Sequence, residues 1–140
     1  MTKFLLFLGF TFLGLAQTKA QLKMTKAEAR ETMSEMAFTV EKKTEQKNQF
    51  QFIHYSNTKI NMNTILRFNQ ADVCDLLITV LPLSEWEKSR KAFENQVTTG
   101  LLKPKASGKN TWIKEDGSTI VMVPEPGKNT FSIVVSSPAA

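Results

Sequence analysis

Apolar positions along this 140-residue chain settle twice into the same order of periods: a helical stripe, then several short alternating runs. Ala29, Met33, Met36 and Val40 fall on one helical face behind Thr25-Lys26-Ala27-Glu28. That tetrapeptide reads as a capping box, a hydroxyl at the N-cap and a carboxylate three residues on. The spacing predicts a helix over about 26–41, followed by a polar linker over 41–48. Phe50, Phe52 and His54 then alternate with Gln49, Gln51 and Ile53, and segments 64–68 and 75–81 are rich in β-branched and large apolar residues, so three strands are expected. The order begins again at Ser84-Glu85-Trp86-Glu87, a second expected capping box. Trp86, Phe93 and Val97 stripe a helix over about 85–97, and a second polar linker runs from Thr98 to Lys109. Strands are expected at 111–114, 118–123 and 131–136, joined by an Asp116-Gly117 hairpin and a Pro126-Gly127 type II turn.

Residues 64–80 match 119–135 without a gap, with Thr64/Thr119, Ile65/Ile120, Ile78/Ile133 and Val80/Val135 identical. The match sets Leu76, Ile78 and Val80 against Phe131, Ile133 and Val135 as equivalent inward positions. Together with the repeated order of elements it predicts an α+β fold of two αβββ pseudo-repeats, about 24–82 and 83–137. Pairing their edges gives an antiparallel sheet of about six strands with two helices on one face. In layout this is similar to periplasmic modules built from tandem helix-plus-sheet units, including PepSY-like domains. The resemblance is one of layout alone and carries no site residue.

The first 20 residues read differently from the rest. Lys3 precedes an apolar run from Phe4 to Ala16. As a helix those residues span about 20 Å, short of the ~30 Å of a hydrocarbon core, which is the length of a signal-peptide core. Small-x-small sites end at Ala16 and Ala20, and the polar stretch before Ala20 favours it, leaving Gln21 first. Residues 1–20 are therefore expected to be a signal peptide and 21–140 a single exported domain, periplasmic or extracellular, with no transmembrane segment in the mature chain.

Charge and chemistry narrow the function classes. The formal net charge is +5, and removing residues 1–20 takes away Lys3 and Lys19 and no acid. The remainder is only mildly basic, which argues against nucleic acid as a partner. One cysteine excludes an intrachain disulfide, and one histidine beside it excludes a Cys/His metal cluster of ordinary spacing, so neither a metal nor another cofactor is expected. Phosphate-loop, dinucleotide and nucleophile-elbow motifs are absent. Cys74 and His54 are the one conceivable thiol–imidazole pair. Against that, both read as packed strand residues. Asp72 with Asp75, and Glu115 with Asp116, are paired acids at positions where turn chemistry accounts for them. Trp86, Trp112, Met33 and Met36 sit on apolar phases and are expected in the core. The candidate ligand-binding residues are six lysines in the two linkers, Lys42, Lys43 and Lys47, and Lys103, Lys105 and Lys109, placed to converge at one end of the sheet if the repeat holds. The leading expectation is a non-enzymatic exported binding protein whose partner is an envelope protein or an anionic polymer. The alternatives are a small enzyme using Cys74 and His54, and a structural component that assembles through sheet edges.

Overall fold

The computed structural model describes residues 22–59, 61–106 and 108–138, excepting the side chains of 40–43 and 126. The expected signal segment lies outside the described residues. Helix α1 (Lys26–Glu35) is followed by β1 (Thr39–Lys47), β2 (Phe50–Asn57), β3 (Met62–Phe68) and β4 (Cys74–Pro82). After a 3-10 turn at Leu83–Glu85 come α2 (Trp86–Thr98), β5 (Leu102–Pro104), β6 (Thr111–Lys114), β7 (Thr119–Glu125) and β8 (Thr130–Ser136). All eight strands form one antiparallel sheet, in the order β1-β2-β3-β4-β8-β7-β6-β5. The α+β class and the two helices agree with the sequence pattern; about six strands does not.

The two extra strands are the segments expected to be linkers. β1 pairs with β2 along one edge of the sheet and β5 pairs with β6 along the other. An edge strand makes one ladder and needs few apolar side chains: Thr39 and residues 44–47 of β1 are exposed, as are Lys103 and Pro104 of β5, and among the described side chains of these two strands Leu102 alone turns into the core. Lysines, a bulge between Val40 and Thr44, and Pro104 at the far edge discourage pairing with another chain.

Register separates the two faces. Across β2, β3, β4, β8, β7 and β6, the residues Ile53, Leu66, Leu77, Val135, Ile120 and Trp112 lie opposite one another in turn. None is more than 5 % exposed. Burial of each such side chain contributes about 1.5–3 kcal/mol. Both helices pack on this face. Ala29 and Met33 of α1 join the same core, and the Asn57 side-chain amide donates to the Met36 carbonyl at 3.2 Å. In α2, Phe93 lies against Trp112 at 4.9 Å between ring centroids. Trp86, ahead of it, meets Phe131 edge-on at 5.2 Å.

The same ladders overturn the gapless match. Ile65 pairs with Ile78, Ile78 with Val134 and Val134 with Val121, all on the face away from the helices. Ile120 and Ile133 point toward the helices. The match therefore equates residues on opposite faces, and Leu76, Ile78 and Val80 do not point inward with Phe131, Ile133 and Val135.

Three local expectations also change. α1 stops at Glu35, short of 41, because Ala37 takes a left-handed φ of 63°. Phe38 N–H donates to the Met33 carbonyl at 2.9 Å and Ala37 N–H to that of Ser34 at 3.0 Å, a Schellman end with an alanine at the usual glycine position. α2 ends the same way with Gly100 at φ 84°, Leu101 bonding to Gln96 and Gly100 to Val97. At the starts of the helices, Thr25 does cap α1 through Glu28 N–H. Ser84 lies in the 3-10 turn and does not cap α2. Pro126-Gly127 forms a 3-10 turn in which Asn129, at φ 57°, takes the positive angle.

Candidate functional site: the open sheet face and its end cleft

The centre of the second sheet face is aliphatic. Ile65, Ile78, Val134 and Val121 run in a row across β3, β4, β8 and β7. Phe52, Leu76 and Ile113 flank the row on one side, Val80 and Val123 on the other. These side chains are half-buried by one another, and Val123 is 42 % exposed. Among the described residues no helix lies over them. An antiparallel sheet that shows one face to water normally places polar residues there; here β4 is apolar on that face, while its neighbours set Ile65 between Asn63 and Arg67 and Val134 between Ser132 and Ser136.

At one end of this face the polar groups are paired. A bulge in the β3–β4 ladder at Phe68 and Cys74 sets Asp75 beside Arg67. Arg67 donates to both Asp75 carboxylate oxygens, at 2.8 and 3.3 Å, while its guanidinium lies 4.3 Å over the Phe50 ring. The β1–β2 and β3–β4 turns lie just beyond. Between them is a cleft of about 570 Å³ lined by six carboxamides, Gln46, Asn48, Gln49, Gln51, Asn69 and Gln70. The Lys26–Asp72 ion pair, 2.8 Å, forms its wall. A smaller hollow of about 310 Å³ on the same turns reaches Phe50. Asn69 shapes the second turn by accepting from Ala71 and Val73 N–H, at 2.9 and 3.2 Å, and Asp72 takes φ 58°. The Gln51 Oε1 atom is buried without a hydrogen-bond partner.

The six lysines do not converge. Lys42, Lys43 and Lys47 belong to β1, and Lys103, Lys105 and Lys109 lie in or beside β5. Seven strand spacings separate those edges, roughly 34 Å. Nor do Cys74 and His54 meet. His54 stands on the open face opposite Ile65, whereas Cys74 is 0 % exposed in the core under the helices. Burial pushes the Cys74 thiol up to about 12, and its Sγ approaches the Leu76 carbonyl at 3.5 Å. That is the setting of an inert thiol, not of a nucleophile.

The remaining candidates are structural. Asp72 and Asp75 are committed to ion pairs with Lys26 and Arg67. Burial raises the Asp116 carboxyl, but hydrogen bonds from Ser118 outweigh it and hold the group below the usual range. Trp112 and Met33 are core residues; Trp86 and Met36 pack against the core, partly buried. Among the described residues no cluster of three or more His, Cys, Asp or Glu is placed to hold a metal ion, and no helix is long and apolar enough to cross a membrane. The amide cleft escapes motif-based reading because its residues come from two separate turns, the strand ends beside one of them and the start of α1. The density of Gln and Asn in Gln46–Gln51 is the signal that points to it.

No protein-family model, no curated protein and no solved structure matches this chain.

Proposed function

We propose that this chain is an exported, non-enzymatic interaction protein that docks through the open face of its sheet, and that the occupant of that face is a second copy of the chain. The observation that carries the reading is the row Ile65–Ile78–Val134–Val121, aliphatic and covered by no described helix. A face in permanent contact with water gains nothing from such a row. The row spans three strand spacings, roughly 14 Å, and Leu76, Val80 and Val123 widen it, so it forms the apolar centre of a patch whose surround is polar. Arg67 and Asp75 neutralise each other, and the register sets Glu45, Lys47, Lys103 and Glu125 toward the margins of the same face, a rim of mixed sign. Two twisted sheets stack face to face at about −30°, and a twofold pair uses one patch twice. Export rests on the sequence pattern of residues 1–20.

We also infer that the chain descends from duplication of a helix-plus-four-strand unit. Supporting this, a shift one residue longer than the gapless match carries Thr64, Leu66, Leu77 and Thr79 onto Ile120, Met122, Ile133 and Val135, all on the helix-covered face. For an anionic polymer, the six lysines supply two separate edges instead of one focused patch.

Sedimentation equilibrium tests the docking reading. The chain from Gln21 should behave as a dimer. Ile65→Thr, Ile78→Thr and Val134→Thr together keep β-branched side chains in the strands and should give a monomer that still unfolds cooperatively. A parent that stays monomeric at about 100 μM, or a variant that dimerises equally well, rejects the reading.

A further inference from the structure

We propose that the cleft between the β1–β2 and β3–β4 turns is a binding site for a neutral, hydroxyl-rich ligand, an oligosaccharide by chemical class. Its volume, about 570 Å³, lies within the range of small-molecule sites. The lining selects the chemistry. A carboxamide carries two N–H donors and an acceptor oxygen, and a sugar hydroxyl both donates and accepts, so the two sets are matched in kind; the Asn69 oxygen is already taken by Ala71 and Val73 N–H. The Lys26–Asp72 pair closes on itself at 2.8 Å and leaves the cleft without a free charge from either residue to attract an anion.

Gln51 adds an independent sign. The residue lines the cleft, and its Oε1 is buried with no hydrogen-bond partner, an acceptor whose desolvation is uncompensated in the free protein. Phe50, at the hollow on the same turns, presents an aromatic surface beside the amides; Arg67 is stacked on it. A peptide fits less well. Extended peptides add along a sheet edge or seat their side chains in apolar pockets, whereas this cleft lies at strand ends and its larger chamber is walled by amides and an ion pair. The proposal is independent of the docking reading, because no residue of the aliphatic row lines the cleft.

The test is titration of the chain from Gln21 with a panel of neutral oligosaccharides (glucan, chitin and xylan fragments), read by calorimetry and by the side-chain amide resonances of the cleft. The expected result is saturable binding to at least one of them, with shifts at Gln49, Gln51 and Gln70, and affinity unchanged from low to high salt. Gln51→Met keeps the side-chain volume and should weaken binding about tenfold, the worth of one buried hydrogen bond to a ligand. Gln49→Ala with Gln70→Ala, both on turns, should do the same without altering the fold. Asn69 is left intact because its side chain builds the turn. Absence of binding to the whole panel at millimolar sugar, shifts located elsewhere, affinity that collapses with salt, or a preference for peptides would each overturn the assignment. Loss of dimerisation in the aliphatic-row variant with sugar binding retained would show that the two sites are separate.

Discussion

Replacing Cys74 by Ala should change how the stability of the fold responds to alkali. The Cys74 thiol is 0 % exposed, and burial raises it from its ordinary 9.0 to about 12. A group whose folded value lies above its unfolded value contributes stability that is fully present below the unfolded value and disappears as the pH climbs toward the folded one. Between pH 9.0 and about 12 the unfolded chain releases this proton and the native chain holds it, so stability falls by about 1.4 kcal/mol per pH unit from this group alone. Over the full interval the loss is about 4 kcal/mol, a large share of the ~5–15 kcal/mol that holds a typical domain together. Tyr55, also raised by burial, acts in the same direction at higher pH and is present in both proteins; the Cys74 charge is the smallest cause of its shift, so the difference between the two alkaline limbs comes chiefly from the thiol. Urea unfolding of parent and Cys74→Ala from about pH 8 to pH 11 is the assay. The variant should carry a pH-independent offset of about 0.5–3 kcal/mol for the lost sulfur and a flatter alkaline limb. In parallel, the native thiol at pH 8 should be ionised about a thousandfold less than a free one and should resist alkylation until unfolded. Equal alkaline slopes, or native labelling as fast as denatured labelling, would refute the burial argument and restore Cys74 as a candidate nucleophile.

Two further substitutions test the fold. Ala37→Gly should stabilise the protein by about 1 kcal/mol by relieving a left-handed alanine, and Gly100→Ala should cost about as much, since its added Cβ meets nothing within 4 Å and only the φ of 84° opposes it. Thermal midpoints moving in the same direction for both would contradict the matched helix ends. Replacing Lys47, Lys103 and Lys105 with Thr should leave the native spectrum unchanged and speed aggregation on warming, as expected if these lysines guard sheet edges; unchanged aggregation kinetics would count against that role.

What could be read from the sequence follows from where water is. β2, β3, β4, β6, β7 and β8 were legible because each presents β-branched or aromatic residues to at least one packed face. β1 was not: Thr39–Lys47 is an edge strand whose ladder to β2 needs no apolar side chains. The face assignments were hidden for the opposite reason. Leu76 to Leu81 is apolar except at Thr79, and Phe131 to Val135 except at Ser132, so alternation alone does not choose which side meets the helices. That ambiguity let a match one residue out of register look consistent. The stop of α1 was concealed by an alanine doing a glycine's work at position 37. The cleft was illegible because turn amides have no period, and only the sheet order brings Asn48 near Asn69. The same order carries the two lysine clusters, alike in sequence position, to opposite edges.

The most direct test of the central claim, that the open face is an interface, is a dilution series followed by the isoleucine methyl resonances of the chain from Gln21. Ile65, Ile78 and Ile113 lie on the open face, whereas Ile53, Ile120 and Ile133 lie under the helices. The account predicts that the first three shift together as the protein is diluted while the second three stay in place. Methyl resonances of the open face that are indifferent to concentration, or a response confined to Ile53, Ile120 and Ile133, would contradict it.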